Sequence, residues 1–167
     1  GLTVGQSLAV GAIESELGAL YCTGVVIDPR WLLTAAHCIG DGIRLRLSAA
    51  DGEHIVTPLG AAVIHPELDL ALVELLRPDD LQEAGLVALS ARNEPLADLA
   101  ALGNAVLAGA GRTESSGRGT TQFVEEPVVA MDATTITVDG EGRSGACAGD
   151  SGGPLIARTS AGEAQVV

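Results

Sequence analysis

The chain of 167 residues has no lysine: its nine basic residues are all arginine, against 22 acidic ones, for a net charge of −13. That balance argues against a nucleic-acid partner, whose phosphates call for a surplus of cations. An acidic surface can draw in basic substrates, but it reads more simply as a solubility device suited to a salty setting. Aromatic residues are nearly missing, with one Trp, one Tyr and one Phe, so a core has to be assembled from Val, Leu, Ile and Ala. No apolar run reaches membrane-spanning length and no signal sequence is visible at Gly1. No His, Cys and Asp cluster has metal-ligand spacing, so no catalytic metal and no cofactor are expected. Three cysteines leave at least one outside any pairing within the chain. What is plentiful is glycine, at 22 residues, within a composition that is 47% hydrophobic. That suits one compact, turn-rich domain large enough to bury a core.

The most unusual stretch is Gly145-Ala146-Cys147-Ala148-Gly149-Asp150-Ser151-Gly152-Gly153-Pro154-Leu155. Glycines at this density let the backbone take positive φ and bring successive N–H groups close to a ligand, forming a concave pocket for an anion. A hydroxyl at its centre suits acyl transfer: Ser151 attacks, and the N–H groups of Gly149 and Ser151 receive the oxyanion. Read alone, the stretch is equally a Gly/Ser surface loop. Two further segments decide between these. Thr34-Ala35-Ala36-His37-Cys38 supplies a base, and His65-Pro66-Glu67-Leu68-Asp69-Leu70-Ala71-Leu72 places Asp69 at the head of an alternating apolar run. A serine needs a base to take its proton, and a neutral imidazole serves when a carboxylate fixes its tautomer and steadies the imidazolium. The order His37, Asp69, Ser151 is one of the known chain orders for such a triad.

Leu33-Thr34-Ala35-Ala36-His37-Cys38, Asp69-Leu70-Ala71-Leu72 and Gly149-Asp150-Ser151-Gly152-Gly153-Pro154 together resemble the trypsin/chymotrypsin family of serine proteases, in a bacterial-looking, short-looped form. The resemblance runs roughly from Tyr21 to Leu155. It implies an all-β fold of two Greek-key antiparallel β-barrels with the active site in the cleft between them. Residues 1–87 would form the first barrel with His37 and Asp69, 88–104 the connection, and 105–167 an incomplete second barrel with Ser151. It implies a serine endopeptidase acting through an acyl-enzyme on protein or peptide substrates. Cys22 and Cys38 match the disulfide beside the catalytic histidine, which points to a secreted, periplasmic or otherwise oxidising location. The counterpart of Cys147 pairs with a cysteine further along than Val167, so a separate C-terminal fragment completing the second barrel is one expectation; a free buried thiol is the other.

The resemblance gives Asp150 a structural role, an ion pair with a freed N-terminal amine, of which Leu2-Thr3-Val4-Gly5 is a faint echo. A dormant protease-like module, or a zymogen awaiting cleavage or a partner segment, is therefore the alternative reading. Gly145, Ala146 and Ala148 fall at the pocket for the side chain before the scissile bond. Gly145 stands where trypsin-like members carry an aspartate, so a buried Lys or Arg would go unpaired and an uncharged side chain is expected. His65 falls in a segment where the family's histidine is not usually catalytic, and His54 reads as a solvated strand residue.

Along the chain, residues 1–20 read as a first strand and hairpin, 19–27 as a strand, 28–30 as a turn and 35–39 as a helical turn. Residues 43–47 alternate as a half-buried strand. Strands follow at 54–58, 61–64, 70–75, 105–111, 123–131 and 134–138. The stretch 86–102 is a connection with room for two helical turns, and 112–121 a polar surface loop.

Overall fold

The computed structural model describes residues 1–49, 51–93, 102–113 and 120–167. Six antiparallel strands, β1 (Val10–Ser15), β2 (Leu20–Asp28), β3 (Trp31–Thr34), β4 (Ile43–Ser48), β5 (His54–Ile64) and β6 (Ala71–Leu75), close a barrel in the order β1-β2-β3-β6-β5-β4. Two three-stranded meanders are thus joined through β3 with β6 and β1 with β4. Strands β7 (Asn104–Gly109), β8 (Gln122–Met131), β9 (Ile136–Val138), β10 (Leu155–Arg158) and β11 (Ala164–Val166) form a second sheet in the order β11-β10-β7-β8-β9. The fold is all-β: a closed barrel and, among the described residues, an open second sheet.

Closure follows from alternation. In β6 the residues Ala71, Val73 and Leu75 point inward between half-buried Leu72 and Glu74, the period of a strand with one face on a core. The largest fully buried side chains of the barrel are aliphatic, among them Ile13, Leu32, Leu45 and Leu47. No aromatic side chain is buried: Tyr21 is 53% and Phe123 39% exposed. The main core cluster runs past the barrel to Ala108, Ile156, Ala164 and Val166 of the second sheet. The connecting chain stitches the two together, since the Leu89 N–H donates to the Val26 carbonyl and the Arg92 N–H to that of Val166.

Two local readings of the sequence need correction. Residues 4–7 are not strand but one helical turn, α1 (Val4–Ser7), closed by a reciprocal capping box between Thr3 and Gln6. The two short strands expected at 54–58 and 61–64 are one strand, β5. Its first half pairs with β4 and its second with β6, and the register shifts between Leu59 and Ala62. Pro58-Leu59-Gly60 looks like a turn but is tolerated in a strand at such a bulge. A Cβ on Gly60 would lie 2.7 Å from Leu76 Cδ2, so the exposed Leu76 side chain would have to shift. The chain after β6 forms a second short helix, α2 (Pro78–Glu83), started by proline and burying Leu81. Residues 94–101 of the expected connection and 114–119 of the expected loop lie outside the described residues. No helix among the described residues is long and apolar enough to cross a membrane.

Candidate active site

The register of β3 with β6 brings His37 and Asp69 together. Thr34, the last residue of β3, pairs with Ala71, the first of β6. The chain just beyond β3 and the chain just before β6 therefore meet at one end of the barrel. Beyond β3 comes a single 3-10 turn, Ala36–Cys38, which carries His37. Before β6 comes the turn closed by the His65 N–H on the Leu70 carbonyl at 2.8 Å, which carries Asp69. Asp69 grips His37 twice: Oδ2 lies 2.6 Å from the ring Nδ1, and Oδ1 accepts the backbone N–H at 2.9 Å. The hydrogen bond from the His37 ring, then that from its backbone, holds the Asp69 carboxyl below the usual carboxylate range. Both side chains are more than half exposed.

Cys22 of β2 and Cys38 beside His37 form a disulfide with Cα atoms 6.0 Å apart. It pins the histidine turn to the barrel wall, and Cys38 Sγ lies 3.7 Å from the Ser151 carbonyl oxygen. Cys22, His37 and Cys38 have candidate metal-ligand atoms within 4.8 Å of one another. With both sulfurs tied in the disulfide, they offer a metal one nitrogen and no thiolate.

Ser151 is exposed on the turn between β9 and β10. Thr23, fully buried on β2, joins that turn to the barrel. Its N–H donates to the Ser151 carbonyl at 2.8 Å. Its hydroxyl donates to the Gly149 carbonyl at 2.8 Å and accepts the Ala110 N–H at 2.9 Å. Its own carbonyl accepts the Thr34 hydroxyl at 2.8 Å. Nothing in the sequence singled out Thr23 beyond its place next to a cysteine, and Thr34 stood there only as part of the histidine motif. Gly152 packs here with φ +82°, and a Cβ on it would fall 2.2 Å from Thr34 Oγ1. Among the described residues the Gly149 and Ser151 N–H groups have no hydrogen-bond partner, and Gly149 has φ +100°. Two unengaged donors beside a serine can receive an anion.

Asp150 makes no ion pair among the described residues. Its Oδ1 accepts the Gly111 N–H and its Oδ2 the Cys147 N–H, each at 2.7 Å. Two backbone amides converge on this carboxylate where the sequence led us to expect an amine. A Cβ at Gly109 or Gly111 would fall 2.0 or 2.5 Å from Asp150 Oδ1, so glycine is required on both sides of the alanine between them. The segment Leu2-Thr3-Val4-Gly5 belongs instead to the capped first helix, and the Gly1 carbonyl accepts from Arg158. Cys147 is a free thiol and is exposed, not buried.

A cavity of about 590 Å³ opens beside the nucleophile turn, with Gly145, Ala146 and Cys147 on one wall, Leu107 on another, and Arg112 and Arg143 also lining it. Ala148 is not part of its lining; its carbonyl is turned to the Arg112 N–H. At Gly145 a Cβ would meet nothing within 4 Å.

A closed β-barrel whose end presents a carboxylate-gripped histidine, tied to a glycine-rich serine turn on a second sheet, is the architecture of a class of serine hydrolases. The trypsin family model matches residues 5–166, and the chain belongs to that family. It is 32% identical over 155 residues to an uncharacterized peptidase of Corynebacterium glutamicum strain R, covering 86% of this chain and 52% of the relative. It is 26% identical over 187 residues to the trypsin of Sus scrofa, covering 91% of this chain and 78% of that one. To the trypsin of Phaedon cochleariae it is 30% identical over 168 residues, covering 81% and 64%. The chain spans about half the length of the corynebacterial peptidases it matches.

Proposed function

We propose that this chain carries the catalytic machinery of a serine endopeptidase. The observation that carries the reading is the double grip of Asp69 on His37, at the barrel end to which Thr23 ties the Ser151 turn. With Nδ1–H held by Asp69, His37 presents its other nitrogen, Nε2, as general base. Nε2 takes the proton of Ser151 Oγ as that oxygen attacks the peptide carbonyl. The negative charge on the carbonyl oxygen is received by the N–H groups of Gly149 and Ser151. The imidazolium then gives its proton to the leaving amine, and the acyl-enzyme is released by water activated at the same nitrogen.

The preceding side chain would enter the cavity walled by Gly145 and Ala146. Both oxygens of Asp150 already accept backbone amides, and Arg112 adds positive charge to the lining, whereas Arg143 is paired with Glu141. A Lys or Arg there would meet no free carboxylate, which favours an uncharged residue. The disulfide fits an exported protein working in an oxidising compartment.

A fluorophosphonate probe tests the chemistry. One adduct on Ser151, absent from Ser151→Ala, is expected. An unlabelled protein, or one whose Ser151→Ala variant labels equally, would sink the reading and leave a dormant module or a zymogen. A panel of peptides differing only at the residue before the cleaved bond tests specificity; faster cleavage after Arg would overturn it.

A further inference from the structure

His65 lies outside the three residues of the triad, yet its ring is built into the turn that carries one of them. Its Nδ1 accepts two backbone N–H groups, from Glu67 at 3.1 Å and from Leu68 at 3.0 Å. Its own N–H closes the turn on the Leu70 carbonyl at 2.8 Å, and the Leu70 N–H adds a bond to the Leu68 carbonyl at 2.8 Å. Asp69 is the residue enclosed by these bonds. A backbone N–H can only donate, so Nδ1 must carry a lone pair and no proton. The ring is therefore neutral, with its hydrogen on Nε2. Every residue from His65 to Leu70 is exposed. The imidazole does locally what burial would otherwise do.

We propose that His65 is a positioning residue: by accepting the Glu67 and Leu68 amides it holds the turn in the shape from which Asp69 reaches both the ring and the backbone N–H of His37. The proposal deepens the serine-endopeptidase reading and rests on it. Its chemistry is specific to one atom. The oxygen of an asparagine at position 65 stands where Nδ1 stands and can accept the same two amides, as Asx turns do. The amide of a glutamine falls nearer the place of Nε2 and cannot.

The test compares His65→Ala, His65→Asn and His65→Gln with the unaltered protein, by rate of fluorophosphonate labelling and by the low-field proton resonance of the His37 Nδ1–H. His65→Ala and His65→Gln are expected to label about tenfold more slowly, the equivalent of one to two lost hydrogen bonds. His65→Asn is expected to stay within about twofold of the parent, since it keeps both acceptances. Glutamine matching asparagine, or alanine matching the parent, overturns the proposal. If a variant does not fold, ring ¹⁵N shifts of the unaltered protein decide: the Nε2–H tautomer at His65 supports the assignment and a protonated Nδ1 defeats it. That measurement needs no activity. A protein inert to the probe yet with the Nε2–H tautomer would therefore fail the function while leaving the His65 assignment standing.

Discussion

The two halves of the site are built on different physics. His37 and Asp69 sit on a closed barrel in which every strand is paired on both sides. Their meeting follows from strand register, so the fold brings two residues 32 positions apart together at one barrel end. Ser151 belongs to a turn on a sheet that is open among the described residues and whose own core cluster there holds Leu102, Ala105, Val128 and Ala157 as buried residues. That turn is shaped by backbone hydrogen bonds to Asp150 and Thr23 and by glycines where no Cβ fits. His37 is placed by topology and Ser151 by local backbone chemistry. Each half should therefore break in its own way.

The largest effect is expected from Asp69→Asn. It keeps the size of the side chain but turns the His37 ring to the wrong tautomer, so kcat should fall about 10⁴-fold with little change in KM. The sign of the acid dependence follows from the same group. The folded-state pKa of Asp69 is lowered from 3.8, so its stabilising bonds are complete above that value and are lost only as pH falls below it. A pH–rate profile should therefore show no Asp69 limb above about pH 4. A carboxyl ¹³C shift of Asp69 that titrated above pH 4 would contradict this.

Next comes Gly109→Ala on the other half. Its Cβ would lie 2.0 Å from Asp150 Oδ1, so the carboxylate must swing off the Gly111 and Cys147 amides. Displacing the nucleophile by about 1 Å costs about 10²-fold in rate. Labelling of Ser151 should drop accordingly while the His37–Asp69 proton resonance is unchanged. Removing the disulfide with Cys22→Ser and Cys38→Ser does the reverse. Opening a loop of 16 residues lowers unfolding stability by about 3 kcal/mol, read as a shift in denaturation midpoint. Amide exchange at Gly111 and Cys147 should stay slow until global unfolding.

The barrel half was the more legible in the sequence. Period-2 runs such as Ile43-Arg44-Leu45-Arg46-Leu47 and the motifs around His37 and Asp69 pointed to their strands and turns directly. The nucleophile motif was equally plain as a pattern, but not what holds it. The acceptance of backbone amides by Asp150 leaves no mark in sequence spacing, and the family resemblance implied an N-terminal amine there instead. Leu59-Gly60 separates the two strands expected at 54–58 and 61–64, because turn chemistry and bulge chemistry use the same residues. The buried pairing of Glu14 with Arg44 and Arg46 was also hidden. It depends on β1 lying beside β4, a contact between strands three apart in the chain order.

Thr23 joins the two halves, and Thr23→Val makes the finest cut between them. Valine keeps the shape and the backbone N–H, so the bond to the Ser151 carbonyl survives. It removes the hydroxyl that serves Gly149 and Ala110, leaving a buried N–H and a carbonyl without that partner. The cost is about 1–3 kcal/mol, to be measured by denaturant titration. If the hydroxyl only stabilises, the labelling rate of Ser151 in the folded fraction should match the parent. If it also orients the peptide between Gly149 and Asp150, labelling should slow while the His37–Asp69 proton signal is untouched. We expect the second result, because the carbonyl that the hydroxyl holds lies one residue before Asp150, whose carboxylate anchors the whole turn.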